Sequence, residues 1–189
     1  MTRRTLAILV GAPAVLCALL GLTHPVQLDA STSEYWRNLH LILIPIFPLI
    51  GAAPWLVARQ SGRWFSLLAA LFGYGFATFY TALDILAGVA GGALVNAGEG
   101  PEPVFVIARA AGVIGVVSLV LACITAGVAA YRVAGLGTLP GAILACAGAA
   151  LVQPGHIYAG LGTVAMLLLG GGFVVLALMT APSRRSAEA

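Results

Sequence analysis

The sequence predicts an all-α, polytopic integral membrane protein, a bundle of six transmembrane helices within a single domain, residues 1–189. Three observations lead to this fold class. Hydrophobic residues make up 61% of the chain and charged residues 8%, whereas soluble domains carry about 25% charged residues. Six apolar stretches are each long enough to cross a hydrocarbon core about 30 Å thick. Arginines also alternate in density between successive loops.

The first span is predicted at about residues 5–23, directly after Arg3 and Arg4. A basic start followed by an apolar stretch is also typical of a secretory signal. Pro25 stands where a signal peptidase site would have to lie, and proline is poorly accommodated there. We therefore expect this stretch to remain as the first transmembrane helix.

The second span is predicted at about residues 36–57. Ser31 and Glu34 precede it with the Ser-x-x-Glu spacing of a capping box, which favours a helix start. Proline inside a helix removes a backbone donor and crowds the preceding turn. The span is therefore expected to be kinked at its prolines, which are Pro45, Pro48 and Pro54.

Four further apolar stretches complete the six. The fifth is shorter than the others and rich in glycine and alanine. The four spans are predicted at about residues 64–93, 104–131, 135–152 and 156–179.

Arginine placement predicts the orientation of all six spans, because cytoplasmic loops are enriched in basic residues. Seven of the nine arginines fall at the two termini and in every second loop, namely Arg3, Arg4, Arg59, Arg63, Arg132, Arg184 and Arg185. Arg37 is the only arginine in the loops of the opposite side. Both termini are therefore expected in the cytoplasm, with the protein in the inner (plasma) membrane.

The polar residues that topology leaves unexplained lie towards the outer side. His24, His40 and His156 belong to three different segments that this topology brings to one leaflet. Asp84 lies eight to ten residues before the outer end of the third span, or roughly 12–15 Å below it at 1.5 Å per residue. Arg109 lies near the outer start of the fourth span. An outward-facing histidine and aspartate site is the resulting prediction.

Asp84 has two interpretations. Ionisable groups at this depth cost several kcal/mol unless they are paired or hydrated, so a structural ion pair between Asp84 and Arg109 would explain both residues. Alternatively, Asp84 binds a ligand or transfers protons inside a cavity open to the outside. The sequence leaves both interpretations open.

A metal site is the functional interpretation of the histidines. Zinc binds histidine nitrogen and carboxylate oxygen, and catalytic zinc keeps three protein ligands and one open position. The expected ligands are His24, His40, His156 and Asp84, for zinc or another transition metal. A haem held by two of the histidines is the second option, and it is disfavoured because His24 and His156 lie near helix ends.

With a metal, the expected chemistry is hydrolysis or group transfer on a lipid-like substrate, with Asp84 or Glu34 as the catalytic residue that moves a proton. Two alternatives remain: a structural or accessory membrane subunit without catalysis, and a small proton-coupled transporter that uses Asp84 and a histidine. Whether the chain is an enzyme stays open.

The expected partners are the lipid bilayer and either a second copy of the chain or another membrane protein, because the loops on both sides are short. Nucleic acid is not expected as a partner, since no run of basic residues exceeds two.

Overall fold

The structure is a computed structural model and is described here over residues 1–180. These residues form helices without strands, as predicted. Five helical stretches are long and apolar enough to cross a membrane, by length and composition: Arg3–Gly21, Ser33–Ala58, Arg63–Asn96, Glu102–Gly155 and Leu161–Thr180. The predicted basic pair Arg184 and Arg185 lies outside the described residues.

Helix α1 (Arg3–Gly21) begins where Thr2 caps it: the Thr5 backbone N–H donates to Thr2 Oγ1 at 3.1 Å. A side-chain oxygen at this position satisfies one of the otherwise unpaired N–H groups of the first turn. The first predicted span is therefore a helix that starts two residues earlier than expected.

The second stretch is broken into α2 (Ser33–Leu43) and α3 (Ile46–Ala58). The break falls at Ile44 and Pro45, where proline offers no N–H to continue the ladder. The expected capping box does not form. Instead, Asp29 Oδ1 accepts the backbone N–H groups of Ser31 at 2.8 Å and Thr32 at 3.1 Å, which orders the turn before α2.

The third stretch contains a π-helical segment that the sequence did not indicate. Helix α4 (Arg63–Leu83) continues into the π segment (Asp84–Ala90) and then into α5 (Gly91–Asn96). A π segment shifts the helical register locally, and such segments occur often at functional sites. Asp84 is its first residue.

The fourth stretch turns back on itself. Helix α6 (Glu102–Ala134) ends in a 3₁₀ turn (Gly135–Thr138), and α7 (Leu139–Gly155) follows. Gly135 has φ 68°, a conformation in which glycine carries no steric penalty. Helix α7 thus begins and ends about three to four residues later than the fifth predicted span.

Helix α8 (Leu161–Thr180) closes the described chain. It starts five residues later than predicted, so His156 lies in the loop between α7 and α8 rather than at the entry of the last helix. In the bundle, α4 packs against α3 and α6, and α8 packs against α1 and α7. Large aromatic side chains fill the centre, including Phe47, Phe76 and Phe173.

Candidate metal centre

The three histidines of the chain converge on one point near one end of the bundle. His24 follows α1, His40 lies on α2, and His156 follows α7. One ring nitrogen from each lies within 4.8 Å of the others. His24 and His40 are almost fully buried, at 4% and 1% exposed. The structure therefore brings together the three histidines that the sequence placed on one side of the membrane.

Backbone carbonyls orient two of the three rings. Nδ1 of His24 lies 2.7 Å from the carbonyl oxygen of Pro25, and Nδ1 of His40 lies 2.7 Å from that of Trp36, one turn earlier on α2. A carbonyl oxygen can only accept, so Nδ1 donates in both rings. This leaves Nε2 of each histidine as the nitrogen available to bind a metal.

His156 is held by a side chain. The Tyr80 hydroxyl lies 2.7 Å from Nδ1 of His156, so Nε2 is again the nitrogen without a hydrogen-bond partner among the described residues. The backbone of His156 has φ 45°, unusual for a residue other than glycine. Such conformations are maintained by the surrounding structure and cluster at functional sites.

The π segment provides the space for His40. A Cβ added at Gly88 would collide with the Cβ and ring atoms of the His40 side chain, so only glycine fits there. The indole N–H of Trp36 donates to the carbonyl oxygen of Ala87 at 3.1 Å, which ties α2 to the π segment. These contacts fix the position of His40 relative to Asp84.

The Nε2 atoms of His24 and His40 lie at a distance that suits two ligands of one metal ion. Their Nε2 atoms are 3.4 Å apart. With both Nδ1 atoms protonated and both rings neutral, two lone pairs face each other and no hydrogen bond joins them. A tetrahedral zinc with bonds of about 2.0–2.1 Å separates its ligand nitrogens by roughly 3.3–3.4 Å. The observed spacing thus suits a shared cation.

Burial favours the neutral form of His24 and His156, the two histidines that lie outside the helices. Desolvation lowers the pKa of His24, although its hydrogen bond to Pro25 acts in the opposite direction. Desolvation also lowers the pKa of His156 well below its usual range, with a further contribution from the neighbouring histidines. Neutral imidazole is the form that coordinates metals.

Asp84 lies on the Nε2 side of His40. Its carboxylate is fully buried, and Oδ1 is 3.8 Å from His40 Nε2. Neither oxygen has a hydrogen-bond partner among the described residues. A carboxylate that merely oriented His40 would contact Nδ1, but that nitrogen donates to Trp36. Asp84 is therefore placed to meet a metal or a molecule bound to it.

Within the described part of the chain, neither Arg109 nor Glu34 forms an ion pair with Asp84 or with a histidine. Arg109 does not form the expected ion pair with Asp84. It lies 3.8 Å from Glu102 instead, with 73% of its side chain exposed. Glu34 is 76% exposed and lies 4.0 Å from Arg37, outside the histidine cluster.

Aromatic rings complete the surroundings of the cluster, and sequence reasoning missed two of them. The rings of Trp36 and Tyr158 each lie with their centroids 4.6 Å from that of His24, edge to face. Trp36 could have been found from its position one turn before His40. Tyr158 and Gly88 had no such signal, because their roles depend on how the helices pack.

A cavity of about 580 Å³ adjoins the cluster. His40, His156 and Tyr80 form part of its wall, and Arg109 lines it as well. Catalytic metal sites need such space, because an open coordination position must be reachable by water and substrate.

The arrangement is a buried histidine cluster that could bind a metal, next to a buried carboxylate and an accessible cavity. It belongs to a helical chain whose long apolar helices are compatible with a membrane. No protein-family model matches the chain, and no curated protein or solved structure matches it.

Proposed function

We propose that the protein is a multi-pass membrane protein that binds one transition metal ion, with zinc the best fit, through Nε2 of His24, His40 and His156. The observation that carries this proposal is the 3.4 Å separation of two Nε2 atoms whose rings both donate through Nδ1. When both rings are neutral and no metal ion lies between them, these two nitrogens present lone pairs to each other. Three histidine ligands and an open position are typical of catalytic zinc.

The chemistry that fits this site is hydrolysis or group transfer on a lipid-like substrate. A zinc ion lowers the pKa of bound water to about 7 and so supplies a nucleophile at neutral pH. We assign the role of proton acceptor to Asp84, whose buried carboxylate has no hydrogen-bond partner among the described residues. The adjoining cavity has largely apolar walls, including Leu83, Phe105 and Val152, which suit a hydrocarbon chain.

A haem fits this geometry poorly. Two axial ligands must stand on opposite faces of a flat macrocycle, with open space around the iron. Here the rings of Trp36 and Tyr158 pack against His24, and all three imidazoles converge on one point. A single ion fits between them, whereas a macrocycle would displace the aromatic rings.

Six crossings with both termini in the cytoplasm are the topology we propose. The 54-residue stretch Glu102–Gly155 is too long for one crossing, since it would extend about 81 Å. Phe105 near the start of α6 and Val152 near the end of α7 line the same cavity, so the two helices run in opposite directions. The alternating arginines orient this bundle in the inner membrane.

The test is the metal content of the protein purified in detergent through a tag without histidine. Mass spectrometry should find about one zinc ion per chain, as expected for a single three-histidine site. His40→Ala should abolish binding, while Leu41→Ala, a neighbouring exposed position, should retain it. A chelator should lower the melting temperature of the wild type but not of His40→Ala.

Folded wild-type protein that stays metal-free after incubation with zinc would refute the proposal. If His40→Ala does not fold, His24→Gln provides the same test at a loop position.

A proton-coupled carrier is the second candidate, and one observation favours it. A protonated His40 would lie 3.8 Å from Asp84 as a buried ion pair that needs no metal. This candidate predicts metal-free protein that moves protons across proteoliposomes and loses that activity in Asp84→Asn. The metal-site proposal predicts zinc binding and no such transport.

A further inference from the structure

We propose that the cavity beside the metal centre binds the anionic group of an amphiphilic substrate, and that Arg109 recognises this group. That the bound amphiphile is a substrate rests on the proposed metal-dependent function. Recognition by Arg109 involves a different set of contacts, however, and its test does not depend on a bound metal.

Arg109 is available for a ligand. Among the described residues its only ionic partner is Glu102, at 3.8 Å, and both side chains are largely exposed, at 73% and 77%. Ion pairs between exposed side chains are weak, since they gain little over hydration. The guanidinium can therefore exchange this contact for a stronger one at little cost.

Arg109 and the metal centre share one cavity. His40 and His156 line it on one side, and Arg109, Phe105 and Leu83 line it as well. Its volume of about 580 Å³ lies within the range of small-molecule sites. One ligand can thus contact Arg109 while another part of it lies beside the histidines.

The charged residues that line the cavity favour an anionic ligand. No aspartate or glutamate is among the described residues that line it, whereas Arg109 supplies a permanent positive charge. A guanidinium presents its donors in a planar fork that matches two oxygens of a phosphate or carboxylate. With apolar walls around it, this donor set favours an oxyanion attached to a hydrocarbon chain.

The depth of Arg109 is consistent with a lipid-like ligand. It lies seven residues after the first residue of α6, or about 10 Å along the helix axis. In the proposed topology this places the guanidinium near the outer headgroup region, where an amphiphile carries its charge. The hydrocarbon part would then lie deeper in the membrane, against Leu83, which contacts α6 at the level of Gly112.

The experiment measures binding of n-hexyl phosphate, a water-soluble amphiphile, to the full-length protein in phosphatidylcholine nanodiscs. Trp36 lines the cavity and serves as the fluorescent reporter once Trp55 and Trp64 are replaced by phenylalanine. n-Hexanol and inorganic phosphate are the comparison ligands. Arg109→Gln is the test variant, and Arg37→Gln, which lies outside the cavity lining, is the matched control.

Hexyl phosphate should bind saturably, and Arg109→Gln should weaken binding about tenfold or more, the loss expected for a charge-assisted hydrogen bond. Arg37→Gln should leave it unchanged. Hexanol should bind about tenfold more weakly than hexyl phosphate to the wild type, and this preference should vanish in Arg109→Gln. The dependence on Arg109 should persist after a chelator has removed the metal.

Equal binding of hexanol and hexyl phosphate would overturn the role of the anion. If inorganic phosphate binds as tightly as hexyl phosphate, the ligand needs no hydrocarbon part. That result would refute an amphiphilic ligand and indicate a site for free phosphate. If Arg109→Gln leaves the affinity for hexyl phosphate unchanged, Arg109 does not recognise the anion and serves only as an anchor at the membrane interface. Each result is independent of the zinc measurement, so failure here and failure of the metal proposal are distinguishable.

Discussion

The hydrogen bond at Nδ1 of each histidine determines which ring nitrogen is left to bind a metal. His24 and His40 donate to backbone carbonyls, and His156 contacts the Tyr80 hydroxyl. Each bond leaves Nε2 free, and the rings are close enough for one ion. The same principle governs most metal sites, where the partner of the second nitrogen fixes the tautomer and the direction of the ligand.

His156 shows a conflict between backbone and side chain. Its φ of 45° and ψ of −126° lie in a region that favours glycine, and a residue with a Cβ loses roughly 1–3 kcal/mol there. We expect metal-free His156→Gly to be more stable than metal-free His156→Ala by about 1 kcal/mol, because both lose the ring but only alanine keeps the strain. Chemical unfolding of the two variants in the same detergent measures the difference.

Neither variant should bind zinc. Equal stability of the two would contradict the strained conformation at this position.

The sequence predicted that the three histidines lie at one site, but it left open whether Asp84 lies beside His40 or pairs with Arg109. The alternation of arginines predicted that His24, His40 and His156 share one side of the membrane, and the structure brings the three side chains together. One expected partner of Asp84 was Arg109, because both lie within apolar spans. Which face of α6 meets α4 depends on packing around the whole bundle, and no residue pattern in the sequence encodes that rotation.

The π segment between α4 and α5 is the helical element that positions Asp84 and leaves room for His40. It begins at Asp84 and contains Gly88, against which the His40 ring packs. The length of the apolar stretch predicted one long span here, at about residues 64–93, and the helical stretch runs from Arg63 to Asn96. A register shift of one residue within an apolar span leaves no compositional trace, so the π segment could not be predicted.

Gly88→Ala tests this contact. A Cβ at this position would collide with His40, so the ring must move and the zinc affinity should fall by about 10–100-fold, as for the loss of a group that positions a ligand. Overpacking should also destabilise the fold by about 1–3 kcal/mol. Zinc titration and unfolding measurements report the two effects separately.

Gly171→Ala in α8 is the matched control. No atom lies within 4 Å of a Cβ added there, so zinc affinity and stability should stay at or slightly above the wild-type values. Wild-type zinc affinity in Gly88→Ala would show that His40 does not depend on the π segment.

The whole molecule is a bundle whose lateral surface is apolar. Large hydrophobic side chains are exposed along most helices, among them Ile8, Leu71 and Ile143. In water such a surface would favour association, whereas lipid solvates it without cost. Composition alone predicted this property, because it depends on the number of apolar residues and not on their arrangement.

The proposed topology predicts which loops face outwards. In a chain with Cys17, Cys123 and Cys146 replaced by alanine, single cysteines are introduced as Gln60→Cys, Glu99→Cys and Ala159→Cys. A membrane-impermeant thiol reagent applied to intact cells should label positions 99 and 159 but not 60. Position 159 is decisive, because a single crossing by α6 and α7 would move it to the cytoplasm.

Position 60 should become labelled once the cells are permeabilised, which controls for its accessibility. Protection of position 159 in intact cells, together with labelling after permeabilisation, would contradict the six-crossing arrangement.

X-ray absorption spectroscopy of the zinc-loaded protein shows whether three imidazoles bind one metal ion. A three-histidine site should give nitrogen and oxygen neighbours at about 2.0–2.1 Å from the zinc, with outer-shell scattering from about three imidazole rings. His40→Ala should lack this signature. Sulfur scattering at about 2.3 Å, or zinc bound without imidazole, would contradict a centre formed by His24, His40 and His156.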